Sequence, residues 1–197
     1  MSVHPALFLD RDGVIIRNRP DYVKSKDEVS FYETALRALA LLAGSKYKII
    51  VVTNQSAVGR KIISREELDG INRYIQHVVE QKGGRIDGVF VCPHRPEDGC
   101  SCRKPRPGLI LQAARVHHID LGKSILIGDA WSDILAGRAA GIPVNVLVLT
   151  GRGREQLRLP DTPLPPDRIF EDLLEAAETL LAGSREQRSG AAPGSAT

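Results

Sequence analysis

Ala6-Leu7-Phe8-Leu9-Asp10-Arg11-Asp12-Gly13 sets how the rest of the chain is read. Its four leading apolar residues form a strand with no polar face, and the run stops abruptly on charge. A strand without alternation is buried on both sides, as in a parallel sheet covered by helices. The same kind of run recurs downstream. Tyr47-Lys48-Ile49-Ile50-Val51-Val52-Thr53 is short, β-branched and nearly uninterrupted. Further strands are expected over residues 86–91, 124–127, 144–149 and 168–170.

Helices are expected between them. From Glu33, the residues Ala35, Leu36, Leu39 and Leu42 keep helical spacing until Gly44. Ser64-Arg65-Glu66-Glu67 is a capping-box signature, and Leu68, Ile71, Ile75, Val78 and Val79 give the helix behind it an apolar stripe ended by Gly83-Gly84. Shorter helices are expected over 107–117, 133–140 and 171–181. Strands alternating with helices predict an α/β fold, a Rossmann-like parallel sheet sandwiched by helices. Right-handed crossovers bring the C-terminal ends of all strands to one edge, where such sheets bind ligands. The polar residues directly after strands are therefore the candidates for chemistry: Asp10, Asp12, Thr53, Asn54, Cys92, His94 and Asp129.

The chain has 197 residues, room for one domain with one substantial core. A single domain over residues 1–182 is expected, followed over 183–197 by a disordered tail rich in Gly, Ser, Ala and Pro. The net charge of +3 is too small to announce nucleic-acid binding, and no apolar run reaches the ~20 residues of a membrane span. The first residues lack the basic region and apolar stretch of a signal peptide. The expectation is a cytoplasmic monomer that acts on a small molecule, with neither nucleic acid nor membrane as partner.

Asp10 and Asp12 stand two residues apart, so in extended backbone both face one pocket. Such a pair suits Mg²⁺ binding through oxygen, or a division of nucleophile and acid/base roles. A plain surface turn is the competing explanation, since Asp and Gly form turns readily. Asp129 follows the fourth strand at the same edge and strengthens the Mg²⁺ reading; Asp133 is either a further member or a helix cap. Thr53-Asn54-Gln55-Ser56 offers a hydroxyl, amides and backbone N–H groups to a phosphate, and Lys104 adds positive charge. Carboxylates, Mg²⁺, a hydroxyl and a lysine describe phosphoryl-group chemistry.

All three cysteines fall within eleven residues, as Cys92, Cys100 and Cys102, which is not how a disulfide staple is distributed. With His94 they make a complete tetrahedral set for Zn²⁺. Four protein ligands leave no open position, so this zinc is expected to be structural. Arg103 and Lys104 directly follow Cys102, so closing the loop around zinc sets where those two cations lie.

The ordered set Asp10-Arg11-Asp12-Gly13, Thr53, Lys104 and Gly128-Asp129-Ala130-Trp131-Ser132-Asp133 resembles the four motifs of the haloacid dehalogenase superfamily. Thr53-Asn54-Gln55-Ser56 and the Cys92–Lys104 segment are similar to the D-glycero-D-manno-heptose 1,7-bisphosphate phosphatases and the related histidinol-phosphate phosphatase domains. The resemblance covers roughly residues 6 to 151. No insertion there is large enough for a cap domain, so a capless member with a zinc loop is expected. The resemblance implies that Asp10 attacks phosphorus and forms an aspartyl phosphate, while Asp12 protonates the leaving group and then activates water. Mg²⁺ would be held by the Asp10 carboxylate, the Asp12 carbonyl and Asp129. Thr53, Asn54, Arg103 and Lys104 would bind phosphate or substrate, with Arg103 toward the distal end of a sugar bisphosphate.

The expected substrate is heptose 1,7-bisphosphate, losing its 7-phosphate on the route to nucleotide-activated heptose for lipopolysaccharide. Histidinol phosphate is the nearest alternative, and a zinc-stabilised interaction module without activity is an alternative of a different class. One departure from the heptose enzymes is Ala130, where a Lys often stands. Arg17, Arg19, Lys24 and Lys26 lie in an irregular stretch, residues 14–32, expected to form a short flap. Arg152 and Arg154 are expected at the surface.

Overall fold

The structure, a computed structural model, describes residues 3–159 and 165–189. Six strands form one parallel sheet: β1 (Ala6–Leu9), β2 (Lys48–Asn54), β3 (Gly88–Cys92), β4 (Ile125–Gly128), β5 (Val144–Val148) and β6 (Arg168–Phe170). Seven α-helices are present among the described residues: α1 (Glu33–Leu42), α2 (Ser56–Gly59), α3 (Arg65–Gln81), α4 (Gly108–His117), α5 (Trp131–Ala139), α6 (Gly153–Gln156) and α7 (Leu173–Ser189). The strand order is β3-β2-β1-β4-β5-β6. The order reverses between β1 and β4, which pair with Leu7 opposite Ile125 and Leu9 opposite Ile127. That crevice is where open α/β sheets bind ligands.

The uninterrupted apolar strands follow from two cores, one on each sheet face. Leu7, Leu9, Ile49, Val51, Ile125, Ile127, Val146 and Val148 point into one, packed against α1, α3 and α7. Ala6, Phe8, Ile50, Val52, Leu126 and Leu147 point into the other, against α4 and α5. Alternation is thus present in direction while polarity is constant.

Several expected boundaries shift. α5 starts at Trp131, two residues before the expected Asp133, with Ala130 as its N-cap. The short α2 was not expected from the sequence. The capping box at Ser64 is formed: its hydroxyl accepts from Glu67 N at 3.1 Å, and the Glu67 carboxylate accepts from Ser64 N at 2.7 Å. α7 continues through Ser189, past residue 183 where a tail was expected to begin. Its register of good helix formers (Arg185, Glu186, Gln187, Arg188) outweighs the single Gly183. Residues 190–197 of the expected tail lie outside the described residues. The flap is also smaller than expected, because Val14, Ile15 and Ile16 are core residues. Arg17 N donates to Ser30 O and Tyr32 N to Ile15 O, so the segment folds back on itself and only its outer part overhangs the sheet edge.

Candidate active site and zinc loop

A cavity of about 330 Å³ opens at the switch point. Asp10, Asp12, Thr53, Asn54, Arg103 and Lys104 all line it, together with Asn18, Arg19, Gln55, Ser56, Asp133 and Arg152. Every residue expected to bind phosphate or to act in catalysis is therefore on one cavity. The β1–β4 pairing accounts for this convergence: Asp10 N donates to Ile127 O at 3.0 Å, so the turn after β1 stays beside the turn after β4.

Lys104 is buried, and its ammonium is surrounded by acceptors. Nζ donates to Asp10 Oδ1 at 2.8 Å and to Val52 O at 2.7 Å, and lies 2.6 Å from Asp133 Oδ1. Burial works against its charge, but the carboxylates of Asp10 and Asp133 outweigh burial and raise its pKa. Asp10 is pushed up to about 6, first by burial and further by the neighbouring Asp133 and Asp12, with Lys104 pulling the other way. Burial also raises Asp129 and Asp133.

Oxygens of Asp10, Asp129 and Asp133 lie within 4.8 Å of one another. Among the described residues, Lys104 pairs with Asp10 and Asp133, and Arg152 with Asp129. The donor set is hard oxygen at a site with an excess of negative charge, and it fits Mg²⁺. Asp133, expected either as a helix cap or as a further member of the carboxylate group, caps α5 and also lies in the acidic cluster. Its Oδ2 accepts from the N-cap Ala130 N at 3.1 Å, and its carboxylate belongs to the cluster. The Asp12 carboxylate is outside that cluster. It accepts instead from Arg11 and Gln55.

Asn18 and Arg152 were missed as site residues. Asn18 Nδ2 and Arg152 N each donate to Asp129 Oδ2 at 2.9 Å, and the Arg152 guanidinium reaches Asp129 Oδ1 at 3.4 Å. Arg152 is exposed, as expected, and it also pairs with the buried Asp129. The signal was available, since Arg152 follows β5 at the same sheet edge that identified the other candidates. Gly13 explains how closely the two turns approach. It has φ +96°, and a Cβ there would lie 2.1 Å from Asp129 Oδ2. Of the flap cations, Arg19 alone lines the cavity, while Arg17 stacks on Tyr32 and Lys24 pairs with Asp21.

Asn54 lines the cavity, but its amide is engaged. Nδ2 donates to Lys104 O and Oδ1 accepts from Lys104 N, both at 3.1 Å. This reciprocal pair ties the end of β2 to the main chain of Lys104. Asn54 thus braces the main chain of Lys104 while also lining the cavity where a substrate contact is expected of it.

The second cluster sits beyond β3. Sγ of Cys92, Cys100 and Cys102 and Nδ1 of His94 approach one another at 3.3–3.6 Å along five edges. A tetrahedron of ligands about 2.3 Å from Zn²⁺ has edges of about 3.8 Å, so the set fits that ion closely. Burial pushes the Cys92 thiol up to about 12. At Cys100 burial acts in the same direction, but hydrogen bonds from Cys102 and from backbone N–H groups prevail and bring it down to about 7. The loop is anchored to the turn after β2, where Gln55 N donates to Cys92 O at 2.7 Å and Gly59 N to Pro93 O at 2.9 Å. Arg103 Nη1 donates to His94 O at 3.1 Å, and Arg106 donates to the carbonyls of Gly99 and Cys100.

This sheet order, with paired aspartates after β1 and a lysine bridging Asp10 to a carboxylate after β4, defines a phosphatase of the haloacid dehalogenase type. The HAD-hydrolase-like family profile matches residues 101–176. The chain is 38% identical over 175 residues to the D-glycero-β-D-manno-heptose-1,7-bisphosphate 7-phosphatase of Bordetella bronchiseptica, covering 89% of this chain and 97% of that one. It is 37% identical over 176 residues to the enzyme of the same name from Neisseria meningitidis, covering 89% and 94%. The crystal structure of the D,D-heptose 1,7-bisphosphate phosphatase from B. bronchiseptica, complexed with magnesium and phosphate, superposes with a TM-score of 0.85 at 37% identity. It covers 91% of this chain and 99% of that one. The chain belongs to the heptose 1,7-bisphosphate phosphatase family of the haloacid dehalogenase superfamily. Among the described residues, no helix is long and apolar enough to cross a membrane.

Proposed function

We propose that this phosphatase removes the 7-phosphate of D-glycero-D-manno-heptose 1,7-bisphosphate through an aspartyl-phosphate intermediate. The observation that carries the reading is the juxtaposition of Asp10, Asp12 and Lys104 on one cavity in a chain 38% identical to a heptose-bisphosphate phosphatase. Asp10 attacks phosphorus in line, forming the O–P bond as the bond to the sugar oxygen breaks. Asp12 delivers a proton to that leaving oxygen, then accepts one from the water that attacks the aspartyl phosphate.

Lys104 and Thr53 stabilise charge on the phosphoryl oxygens. Asn54 holds the backbone that carries the lysine. Mg²⁺, held by the carboxylates of Asp10 and Asp129 and the Asp12 carbonyl, would supply charge neutralisation to the transferring group. Zn²⁺, held by Cys92, His94, Cys100 and Cys102, would lock the loop that carries Arg103 and Lys104. Arg103 and Arg19, at the cavity wall, face the distal end of the substrate.

The deciding test is Mg²⁺-dependent phosphate release from heptose 1,7-bisphosphate and from histidinol phosphate, on one preparation. A strong preference in kcat/KM for the bisphosphate is expected. A preference for histidinol phosphate would leave the chemistry intact and overturn the substrate.

A further inference from the structure

Arg11 is the largest fully buried side chain among the described residues, at 1% exposure. It stands between the two aspartates of the first motif, yet it turns away from the cavity and into the protein. Its guanidinium forms a planar fork on its neighbour: Nε donates to Asp12 Oδ2 at 2.9 Å and Nη2 to Asp12 Oδ1 at 3.1 Å. The remaining nitrogen, Nη1, donates at 2.9 Å to Oδ1 of Asn72, a buried residue of α3 sixty-one positions away. On the cavity side Gln55 Nε2 donates to Asp12 Oδ2 at 2.6 Å and to Thr53 Oγ1 at 2.9 Å. Asp12 therefore receives three hydrogen bonds, two from the buried guanidinium and one from the pocket wall.

Packing alone does not call for this arrangement. Taking a guanidinium out of water is costly, and an apolar side chain of similar volume commonly serves stability as well or better. A bidentate fork does something an apolar group cannot, because it restricts the rotation of the carboxylate it grips. Asn72 in turn restricts the fork, since α3 is a 17-residue helix packed on the sheet and Asn72 is on its buried side.

We propose that Arg11, braced by Asn72, is the positioning residue that aims the Asp12 carboxylate at the leaving-group oxygen. The inference rests on the reading above in which Asp12 is the acid and base. Arg11 itself does not line the cavity. It acts on catalysis through the geometry of Asp12.

The test uses leaving groups that differ in their need for a proton. A sugar alkoxide must be protonated as the O–P bond breaks and the aspartyl O–P bond forms. 4-Nitrophenolate departs as the anion without a proton. Arg11→Lys keeps the positive charge and removes the fork. It is expected to lower kcat on heptose 1,7-bisphosphate by about 10- to 100-fold, with KM within about twofold. Because Asp12 also serves the water that cleaves the aspartyl phosphate, steady-state turnover falls with either substrate, and the discriminating readout is the first-turnover release of each leaving group. First-turnover release of 4-nitrophenolate is expected within about threefold of the parent protein, and that of the sugar slower by about 10- to 100-fold. Asn72→Ala, which leaves Arg11 in place, is expected to show the same first-turnover selectivity at smaller amplitude, and it decides the matter if the Arg11 variant fails to fold by circular dichroism. Asp12→Asn is the reference and should slow the first turnover of the sugar bisphosphate selectively. Equal first-turnover losses on both substrates in the Arg11 and Asn72 variants, or none, would reduce Arg11 to a structural ion pair. If Asp12→Asn itself shows no first-turnover selectivity, the acid role of Asp12 falls, and the inference falls with it.

Discussion

Asp10 carries the most conflicting demands of any residue in the molecule. Burial raises its pKa to about 6, helped by the neighbouring Asp133 and Asp12, while the bonded Lys104 favours its charged form. Removing its nucleophilic oxygen by Asp10→Asn is expected to lower kcat by at least about a thousandfold while leaving the fold intact, checked by phosphate release and by thermal melting. The raised pKa also has a stability consequence. A carboxyl group with a pKa higher in the folded than in the unfolded chain contributes stability below its unfolded pKa, and that contribution is lost as pH rises through about 6. A bound cation restores it by favouring the carboxylate. Mg²⁺ should therefore raise the Tm of the metal-free protein more at pH 7.5 than at pH 5, as measured by scanning calorimetry. Equal increments at the two pH values would contradict a cation site built on Asp10. At this scale the sequence identified the participating residues well. It could not show that Asn54 is engaged with the main chain of Lys104, or that Arg11 turns inward, because both depend on partners fifty or more positions away.

The decisive element is the loop between β3 and α4. It begins at Cys92, the last residue of a strand, and returns to the site at Lys104. Removing one ligand by Cys102→Ser is expected to cost zinc, thermal stability and activity together. Zinc content by atomic absorption should fall below one per chain, and kcat/KM by about 10- to 100-fold, as for other losses that act through the positioning of a site. Full activity in a zinc-free variant would disconnect the loop from catalysis. Asn54→Ala tests the same linkage from the β2 side. It removes both hydrogen bonds to the Lys104 main chain and should lower kcat/KM without altering zinc content. The helix ends were legible in part. The Ser64 capping box is local and visible in the sequence, whereas α5 begins at Trp131 because its N-terminus is satisfied by Asp133 from within the first turn and by Gln156, whose Oε1 accepts from Trp131 N at 2.9 Å. The second partner comes from another helix and leaves no local signal.

Across the whole molecule, the sheet divides the apolar residues into two cores, and helices from both ends of the chain close one of them. α1 and α7 pack together over that face, where Leu39 and Leu173 are both buried. Leu39→Ala should cost about 2–5 kcal/mol in urea unfolding. Because Leu39 does not line the cavity, kcat/KM is expected to stay near that of the parent protein where the variant is folded. The alternation of strands and helices, the continuous apolar strands and the order of the motifs were enough to determine the fold class, the edge that bears the site and the residue types available there. These are consequences of local periodicity and of the right-handedness of crossovers, which any single sequence carries. Only the tertiary structure decided which groups pair: Lys104 with Asp10 and Asp133, Asn18 and Arg152 with Asp129, Arg11 with Asp12 and Asn72. Hydrogen bonds and ion pairs act over about 3 Å, and which side chains come that close is settled by the packing of helices on the sheet.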